Sequence, residues 1–557
     1  MKLTGRLCFA AVSLFWGVLG DCLTVNTTNG LITGHPAPFA SGVKEFLGIP
    51  YAKAPVGQLR FKPPQRYVGN EPYVASNFSS SQGADCVFTP SKLVAFPDAT
   101  PNFAEIFTSF TGGRGNPQSE DCLTLNIWTK GLNNAKRPVL VFFYGGRFTT
   151  GDTNTPFYNG QFFSAAEDVI VVTVNYRVSI FGFPGAPGQT QNLGLRDQRL
   201  AVEWLRDNVK AFGGDPKKIT IFGQSSGSLS VDAYAFAYTQ DPIVAGLIEH
   251  SGTIFSFDLN SRELATKHWY NASALVGCGS EGDVLPCMMS KSAVELKAAA
   301  ASVKPPPNTS VARSQPVFQP VPDGDIVFDD YHSLASQGKF ARVPMIVGHT
   351  DQESSFYNIS AWARGSVLTD AEWAQFVTDV FNCPSMEEAD YRNNYHVPVW
   401  RYRYFADWDN TRLFPNSAAY HGVDLHMIFG NSQGVTGDPE SPAQTQLKKT
   451  MQKAWATFAA NPWTGLRDLG WPMYRKNVHP AYRHKLLATG LAIAGANDDL
   501  QYARIKTSSD APRDCIESPQ LLGNRSPSLS TSTPIPKTIE QSGQRMGFFM
   551  KPATQLA

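Results

Sequence analysis

Short runs of apolar, β-branched residues alternate with amphipathic stretches in the middle of the chain. Pro138–Tyr144, Val169–Val174 and Lys218–Phe222 have the length and composition of strands that are buried on both faces. From about Leu195 to Phe212, apolar residues recur every three or four positions, and a glycine pair and a proline then end the pattern, as in an amphipathic helix. Strands that alternate with helices predict an α/β fold with a large, mostly parallel sheet.

A G-x-S-x-G motif, Gly223-Gln224-Ser225-Ser226-Gly227, directly follows the third of these strands. The motif places a serine on a tight strand-to-helix turn, where side chains two residues before and after it would collide with the backbone. The short pattern alone is weak, because chance supplies it in many chains. Here a strand precedes it and a helix-compatible stretch, Ser228–Phe236, follows. The context therefore predicts that Ser225 is a nucleophile rather than an ordinary turn serine.

A serine hydroxyl needs a base to take its proton, and in this motif class the order along the chain is serine, acid, histidine. Several histidines follow Ser225, so composition does not choose among them. His421 is favoured because the adjacent Gly422 lets the ring project from a loop. The default interpretation of the others is a surface or core-edge imidazole: His250, His332, His349 and His426.

Composition excludes some partners. The 557 residues include 48 Lys+Arg and 47 Asp+Glu, a formal net charge of +1, without a run of like charges. A nucleic-acid partner or a polybasic contact with an anionic membrane is therefore not predicted. Only 17% of residues are charged and 42% are hydrophobic, which indicates a large core. No repeat or linker divides residues 23–515, so the motifs, rather than length, must decide the number of domains.

The two ends of the chain differ from its body. Residues 1–20 resemble a secretory signal peptide, with a charged start and an apolar stretch from Leu7 to about Leu19 that is short for a membrane anchor, the competing interpretation. We predict domain limits of 21–517, followed by a Ser/Thr/Pro-rich mobile tail at 518–557. Secretion agrees with six predicted glycosylation sequons, at Asn26, Asn77, Asn271, Asn308, Asn358 and Asn524.

Seven cysteines follow the signal segment, and an oxidising compartment makes disulfides their default state. Their spacing is not that of a zinc site, so neither a metal nor a cofactor is predicted.

Several ordered motifs give the chain a family likeness. They are Phe46-Leu47-Gly48-Ile49-Pro50-Tyr51, Ser119-Glu120-Asp121-Cys122-Leu123, Tyr144-Gly145-Gly146, Asn192-Leu193-Gly194 and Phe212-Gly213-Gly214-Asp215-Pro216, which runs into the G-x-S-x-G motif. In these the chain resembles the type-B carboxylesterases of the α/β-hydrolase fold, which include cholinesterases and secreted fungal lipases and esterases. The resemblance implies one α/β-hydrolase domain with a disulfide-anchored lid loop.

The family's catalytic set transfers residue by residue. Ser225 matches the nucleophile, Glu353, after the strand Val343–Val347, matches the acid, and His421 matches the base. The resemblance implies that His421 takes the proton of Ser225, that Glu353 orients the imidazole, and that water resolves an acyl-enzyme. Asp351 and Asp424 are rivals for the acid role, and each is interpreted more simply as a surface or supporting carboxylate.

The loop that would hold the oxyanion departs from the family pattern. The resemblance assigns its donors to the backbone N–H groups of Gly146, Arg147 and Ser226, but Arg147 replaces a glycine. Three interpretations stay open: the arginine turns away, its guanidinium attracts an anionic acyl group, or it disables the enzyme. Gln224 also departs from the acidic residue of cholinesterases.

The resemblance also implies the disulfides Cys86–Cys122, Cys278–Cys287 and Cys383–Cys515, which leaves Cys22 over. Inside the first loop, Thr100 resembles an N-cap and Pro101 a first helical residue. Apolar residues then share one helix face, which either faces the pocket or packs on the core: Phe103, Ile106, Phe107 and Phe110. The loop contains no Trp, so choline esters are not the expected substrate.

We therefore predict a secreted, cofactor-independent serine ester hydrolase that acts on apolar small-molecule or lipid esters. No nucleic-acid partner and no integral membrane segment are expected after signal removal, and no oligomeric state is predicted. Two alternatives stay open: a biosynthetic transacylase that uses the same acyl-enzyme, and a non-catalytic adhesion or binding module.

Overall fold

The computed structural model describes residues 23–69, 73–74, 83–305 and 315–475. The predicted signal peptide and tail lie outside the described residues. So do the predictions for Cys22, Cys515, Asn77, Asn308 and Asn524.

Twelve strands lie within the described residues. They are β1 Thr24–Thr27, β2 Gly30–Thr33, β3 His35–Pro36, β4 Lys44–Pro50, β5 Tyr73–Val74, β6 Thr124–Thr129, β7 Arg137–Phe143, β8 Ile170–Val174, β9 Gly214–Gln224, β10 Gly246–His250, β11 Met345–Thr350 and β12 Val399–Tyr404.

Helices follow most of the central strands. They are α1 Phe103–Phe110, α2 Gln161–Ala166, α3 Ser179–Gly182, α4 Leu193–Asn208, α5 Ser226–Ala237, α6 Arg262–Leu275, α7 Leu285–Ser290, α8 Ala293–Ser302, α9 Tyr331–Ser336, α10 Ser354–Ala363, α11 Asp370–Val377, α12 Cys383–Asn394, α13 Leu425–Phe429, α14 Ser432–Thr436, α15 Pro442–Ala460 and α16 Gly465–Asp468.

One large sheet organises the molecule. Within the described residues it has nine strands in the order β12-β11-β10-β9-β7-β8-β6-β4-β3. The six strands from β12 to β8 are parallel to their neighbours, while β6, β4 and β3 continue the sheet in antiparallel pairs. A smaller sheet joins β1, β2 and β5. The predicted α/β architecture with a large, mostly parallel sheet is confirmed.

The central strands are buried on both faces, as their continuous apolar runs predict. Every residue of β8 is buried, and so is the stretch 139–143 of β7. Parallel strands need helical crossovers, and these cover both faces of the sheet. Apolar and polar residues therefore do not alternate along these strands. The sheet and its helices thus form one continuous apolar core that holds the ends of the strands in place.

Most predicted element limits are close to those observed, but β9 begins at Gly214, before its predicted start at Lys218, and the helix of the first disulfide loop begins later than predicted. The helix predicted to begin after Thr100 begins at Phe103, with Asn102 as its N-cap residue. The N-cap prediction for Thr100 is wrong because its hydroxyl donates instead to the carbonyl of Arg412, at 2.6 Å. A contact across the fold therefore replaces the local cap. No helix in the described ranges is long and apolar enough to span a membrane.

Candidate active site

Ser225 lies on the turn between β9 and α5, at the carboxyl edge of the parallel strands. Its backbone has φ +57° and ψ −123°, a conformation that non-glycine residues rarely adopt. A Cβ at Gly223 would lie 2.2 Å from the carbonyl oxygen of Gly227, and a Cβ at Gly227 would lie 2.0 Å from that of Phe143. Both glycines of the motif are therefore required sterically, and the turn presents the serine at the end of the central strand.

Glu353 and His421 meet at the same edge of the sheet. Glu353 directly follows the turn after β11, and His421 lies in the loop between β12 and α13. Nδ1 of His421 is 2.5 Å from Oε2 of Glu353, whose carboxylate is fully buried. The other oxygen, Oε1, accepts the backbone N–H of Thr350 at 2.8 Å. A carboxylate at Nδ1 holds the proton on that nitrogen and leaves Nε2 as the acceptor.

Two side chains contact the accepting nitrogen of His421. The amide nitrogen of Gln224 donates to Nε2 at 2.9 Å, and the hydroxyl of Tyr357 donates to it at 3.5 Å. Burial raises the pKa of Tyr357, and the charge of Glu353 raises it further. Its phenol is therefore neutral and keeps its proton.

The loop after β7 passes directly over this turn. A Cβ at Gly145 would lie 2.6 Å from the carbonyl oxygen of Gln224. The backbone N–H of Phe148 donates to the hydroxyl of Ser226 at 3.1 Å. Ser226 is the first residue of α5, where backbone N–H groups have no acceptor within the helix. The loop after β7 and the start of α5 are therefore in contact beside the serine turn.

Arg147 adopts the backbone conformation of the glycine it replaces. Its φ is +59°, and Gly146 before it has φ +118°. The side chain is partly buried. Burial lowers the pKa of its guanidinium, which lies close enough to Tyr357 and Arg364 to interact with both electrostatically. The guanidinium therefore interacts with a residue that also contacts His421.

The predicted lid helix packs beside the site. The disulfide between Cys86 and Cys122 closes its loop, with an S–S distance of 2.05 Å. In α1, the ring of Phe107 stacks 6.0 Å from that of Phe356, and Phe110 meets Phe356 edge-on at 5.4 Å. A Cβ at Gly422 would lie only 2.3 Å from Phe110. The apolar face of α1 therefore packs on the core, next to the loop that carries His421.

The rival acids have other partners. Asp351 pairs with Arg403 at 2.7 Å. Asp424 is fully buried and accepts hydrogen bonds from Tyr402, at 2.8 Å, and from Nδ1 of His250, also at 2.8 Å. Asp424 thus positions His250, and the backbone carbonyl of His250 accepts the N–H of Ser225.

Of the remaining histidines, His349 and His426 are buried, so the surface or core-edge interpretation is wrong for them. His332 pairs with Glu387 near the surface, and burial lowers the pKa of His426 to about 3, so that it stays uncharged. Sequence reasoning missed Tyr357. The available signal was its position four residues after Glu353, one helical turn along α10.

The other predicted covalent features are partly described. Cys278 and Cys287 form a disulfide, and Cys383 is also disulfide-bonded. Among the sequons in the described ranges, Asn26 and Asn271 are exposed and Asn358 is partly buried. Within those ranges, no group of three or more His, Cys, Asp or Glu side chains is arranged to hold a metal ion.

Sequence comparison identifies a family and several related proteins. The sequence matches the carboxylesterase family over residues 21–373 and 364–492. It is 33% identical to chlorogenic acid esterase of Aspergillus niger over 457 residues, 80% of this chain and 84% of that protein. It is 30% identical to secreted lipase 5 of Gibberella zeae (81% and 87% covered) and 34% identical to cholinesterase of Mus musculus (78% and 78% covered).

Proposed function

Because the chain belongs to the carboxylesterase family, with the α/β-hydrolase fold and the ester-hydrolase activity of that family, we propose that Ser225, His421 and Glu353 carry the reaction and that its substrates are apolar carboxylic esters. The observation that carries the proposal is the 2.5 Å contact between Nδ1 of His421 and the buried carboxylate of Glu353, beside the strained turn of Ser225.

The reaction follows from the protonation states. Glu353 holds the proton on Nδ1 of His421, so Nε2 is free to accept the proton of Ser225. The Oγ atom of Ser225 attacks the ester carbonyl as this proton leaves. The negative charge on the carbonyl oxygen is stabilised by the backbone N–H groups of Gly146, Arg147 and Ser226. The imidazolium then protonates the leaving alcohol, and water releases the acyl group by the same steps in reverse.

An apolar substrate is supported by the side chains around His421. The rings of Phe381 and Phe356 lie 5.4 Å and 6.3 Å from the imidazole, and Phe110 and Phe107 of α1 pack behind Phe356. Aromatic side chains present large apolar surfaces that favour hydrocarbon over charged ligands. The relatives named above act on different esters by their names, so the family alone does not choose the substrate.

Secretion is part of the proposal. The start of the chain resembles a signal peptide, one relative is named a secreted lipase, and the described chain contains disulfides, which form in oxidising compartments. The presence of the chain in culture medium, without residues 1–20, would test this part.

Labelling with a fluorophosphonate tests the catalytic set. We expect stoichiometric labelling of the wild type, no labelling of Ser225→Ala, and full labelling of a control, Ser336→Ala, which changes an exposed serine of α9. Label that persists in Ser225→Ala would overturn the proposal.

The substrate class is tested by measuring the turnover of esters of increasing acyl length. The same reactions are then repeated with an added alcohol, which competes with water as the acyl acceptor. The proposal predicts higher kcat/KM for apolar acyl groups and a dominant hydrolysis product. A dominant transfer product would instead favour the transacylase alternative.

A further inference from the structure

A polar cavity lies between α10, α11 and the segments that follow β11 and β12. Its volume is about 490 Å³, and small-molecule sites in proteins typically measure roughly 300–1,000 Å³. None of the residues that we assign to the reaction lines this cavity. Its wall combines charged groups, side-chain amides and one indole: Asp351, Asp370, Arg403, Asn382, Asn416 and Trp373.

Asn358, one of the predicted glycosylation positions, forms part of the same wall. It begins the sequon Asn358-Ile359-Ser360 and lies within α10, where its side chain is partly buried. The sequon positions Asn26 and Asn271, in contrast, are exposed. A sugar attached to Asn358 would therefore begin inside a cavity, whereas a sugar at either of the other two positions would begin on the open surface.

The wall of the cavity matches the chemistry of N-acetylglucosamine, the first sugar of an N-linked glycan. The Nε atom of Arg403 is buried without a hydrogen-bond partner in the described structure, while Nη2 of the same guanidinium pairs with Asp351 at 2.7 Å. A buried donor without a partner costs free energy until an acceptor reaches it, and the acetamido carbonyl of the sugar is such an acceptor. The carboxylates of Asp351 and Asp370 can accept from the sugar hydroxyls, and the indole of Trp373 offers an apolar surface to the C–H groups of the ring.

We propose that Asn358 carries an N-linked glycan whose first N-acetylglucosamine occupies this cavity and stabilises the packing of α10 on α11. The inference rests on the proposed secretion and not on the catalytic set. In the modification, Nδ2 of Asn358 bonds to the anomeric carbon of an oligosaccharide that is linked to a lipid pyrophosphate. The bond from that carbon to the pyrophosphate oxygen breaks, the lipid pyrophosphate leaves, and the amide gives up one proton. Because Asn358 is partly buried in the folded protein, attachment precedes the packing of α10.

Mass spectrometry of glycopeptides from the secreted protein tests the attachment. We expect a glycan at Asn358 that Asn358→Gln and Ser360→Ala abolish and that Ser360→Thr retains, because threonine also completes the sequon. A secreted chain with an unmodified Asn358 would overturn this inference and would leave the secretion and the catalytic set intact. Absence of the chain from the culture medium would overturn the secretion on which the inference rests.

Thermal unfolding tests the occupancy of the cavity. We expect Asn358→Gln and Ser360→Ala to lower the unfolding midpoint by about 1–3 °C, the scale of one or two lost hydrogen bonds in a large domain. Ser360→Thr and the control Asn271→Gln, which removes an exposed sequon, should change it little. Trimming with endoglycosidase H leaves only the first sugar and should also preserve the midpoint. Equal midpoints for the wild type and Ser360→Ala, or a fall on trimming, would contradict the occupancy.

Arg403 provides a readout that attachment alone would not move. Arg403→Gln removes the donor that we assign to the sugar and also the ion pair with Asp351, so its effect is measured in two backgrounds. The fall in the unfolding midpoint should be larger by about 1 °C or more in the glycosylated chain than in Ser360→Ala, because only the glycosylated chain loses a contact with the sugar. Equal falls in the two backgrounds would place the sugar outside the cavity and overturn the proposal.

Discussion

At the scale of single residues, the site depends on backbone conformations that side chains ordinarily avoid. Ser225 and Arg147 have φ +57° and +59°, values that are favourable for glycine and costly for other residues. At Ser225 the cost is inherent in the turn that exposes the nucleophile. At Arg147 a glycine would be the less strained residue, so the backbone conformation does not explain why an arginine stands at this position.

Arg147→Gly should reduce the preference of the enzyme for esters with an anionic acyl group over neutral esters. We expect kcat/KM for an ester with a carboxylate in its acyl group to fall about 10-fold more than for its neutral analogue, because a guanidinium pairs well with a carboxylate. Arg147→Lys keeps the charge and should retain most of this selectivity. Parallel kinetics on the two esters provide the measurement.

The fold should tolerate the glycine, since φ +59° is a conformation that glycine adopts freely. Equal losses on the neutral and the anionic ester would contradict charge recruitment and would leave only a backbone effect of Arg147.

At the scale of secondary-structure elements, α1 and the loop that carries His421 depend on each other. Gly422 has φ +85°, and a Cβ there would lie 2.3 Å from the ring of Phe110 and 3.2 Å from the amide of Gln224. Phe110 in turn packs on Phe356 of α10, which begins after Glu353. The lid helix, the base and the acid therefore form one packed unit.

Gly422→Ala should displace this unit. We expect the free energy of unfolding to fall by about 1–3 kcal/mol and activity to fall by about 10-fold or more, because the methyl group forces Phe110 or the loop to move. Chemical denaturation and steady-state kinetics measure the two effects.

The matched control is Gly437→Ala, at φ +78° with no atom within 4 Å of the added Cβ. It carries the same backbone strain without the collision, so activity should be retained. Phe110→Ala should restore part of the activity of Gly422→Ala. If both alanine variants lost activity equally, the packing argument would fail.

At the scale of the whole molecule, a nearly neutral chain contains strong charge interactions in its interior. Arg392 is fully buried with Glu388 and Asp232, and Glu249 of β10 lies nearby with both carboxylate oxygens lacking a hydrogen-bond partner in the described structure. Burial raises the pKa of Glu249 well above its ordinary value of 4.5, and the charges of Asp232 and Glu388 raise it further. Glu249 therefore keeps its proton to higher pH in the folded protein than in the unfolded chain.

Glu249→Gln should change how stability depends on pH. In the wild type the unfolded chain releases the proton of this group near pH 4.5 while the folded chain keeps it. The contribution to stability is therefore complete below pH 4.5 and is lost as pH rises toward the folded pKa, by about 1.4 kcal/mol per pH unit. Relative to the wild type, the variant should become more stable as pH rises above 4.5.

Denaturant unfolding at a series of pH values measures this difference. Glu281→Gln, at an exposed position, is the control and should give a curve parallel to the wild type. A parallel curve for Glu249→Gln would mean that Glu249 is already ionised in the folded state.

The sequence by itself determined the features that depend on near neighbours. Apolar runs identified β7, β8 and β9, because strands buried on both faces need such runs, and the glycine spacing around Ser225 identified the strained turn. Local context favoured His421 among several histidines, whereas the family motifs were needed to choose Glu353 as the acid.

The tertiary structure decided what depends on residues that are distant along the chain. Glu353 and His421 are 68 residues apart and meet because the order of the strands brings their loops to one edge. The cap predicted at Thr100 was replaced by a contact with Arg412, 312 residues away. The spacing of apolar residues along the chain indicates only contacts within one helical turn or one strand. The place of Tyr357 beside His421 therefore followed from the packing of the sheet and helices, not from local sequence.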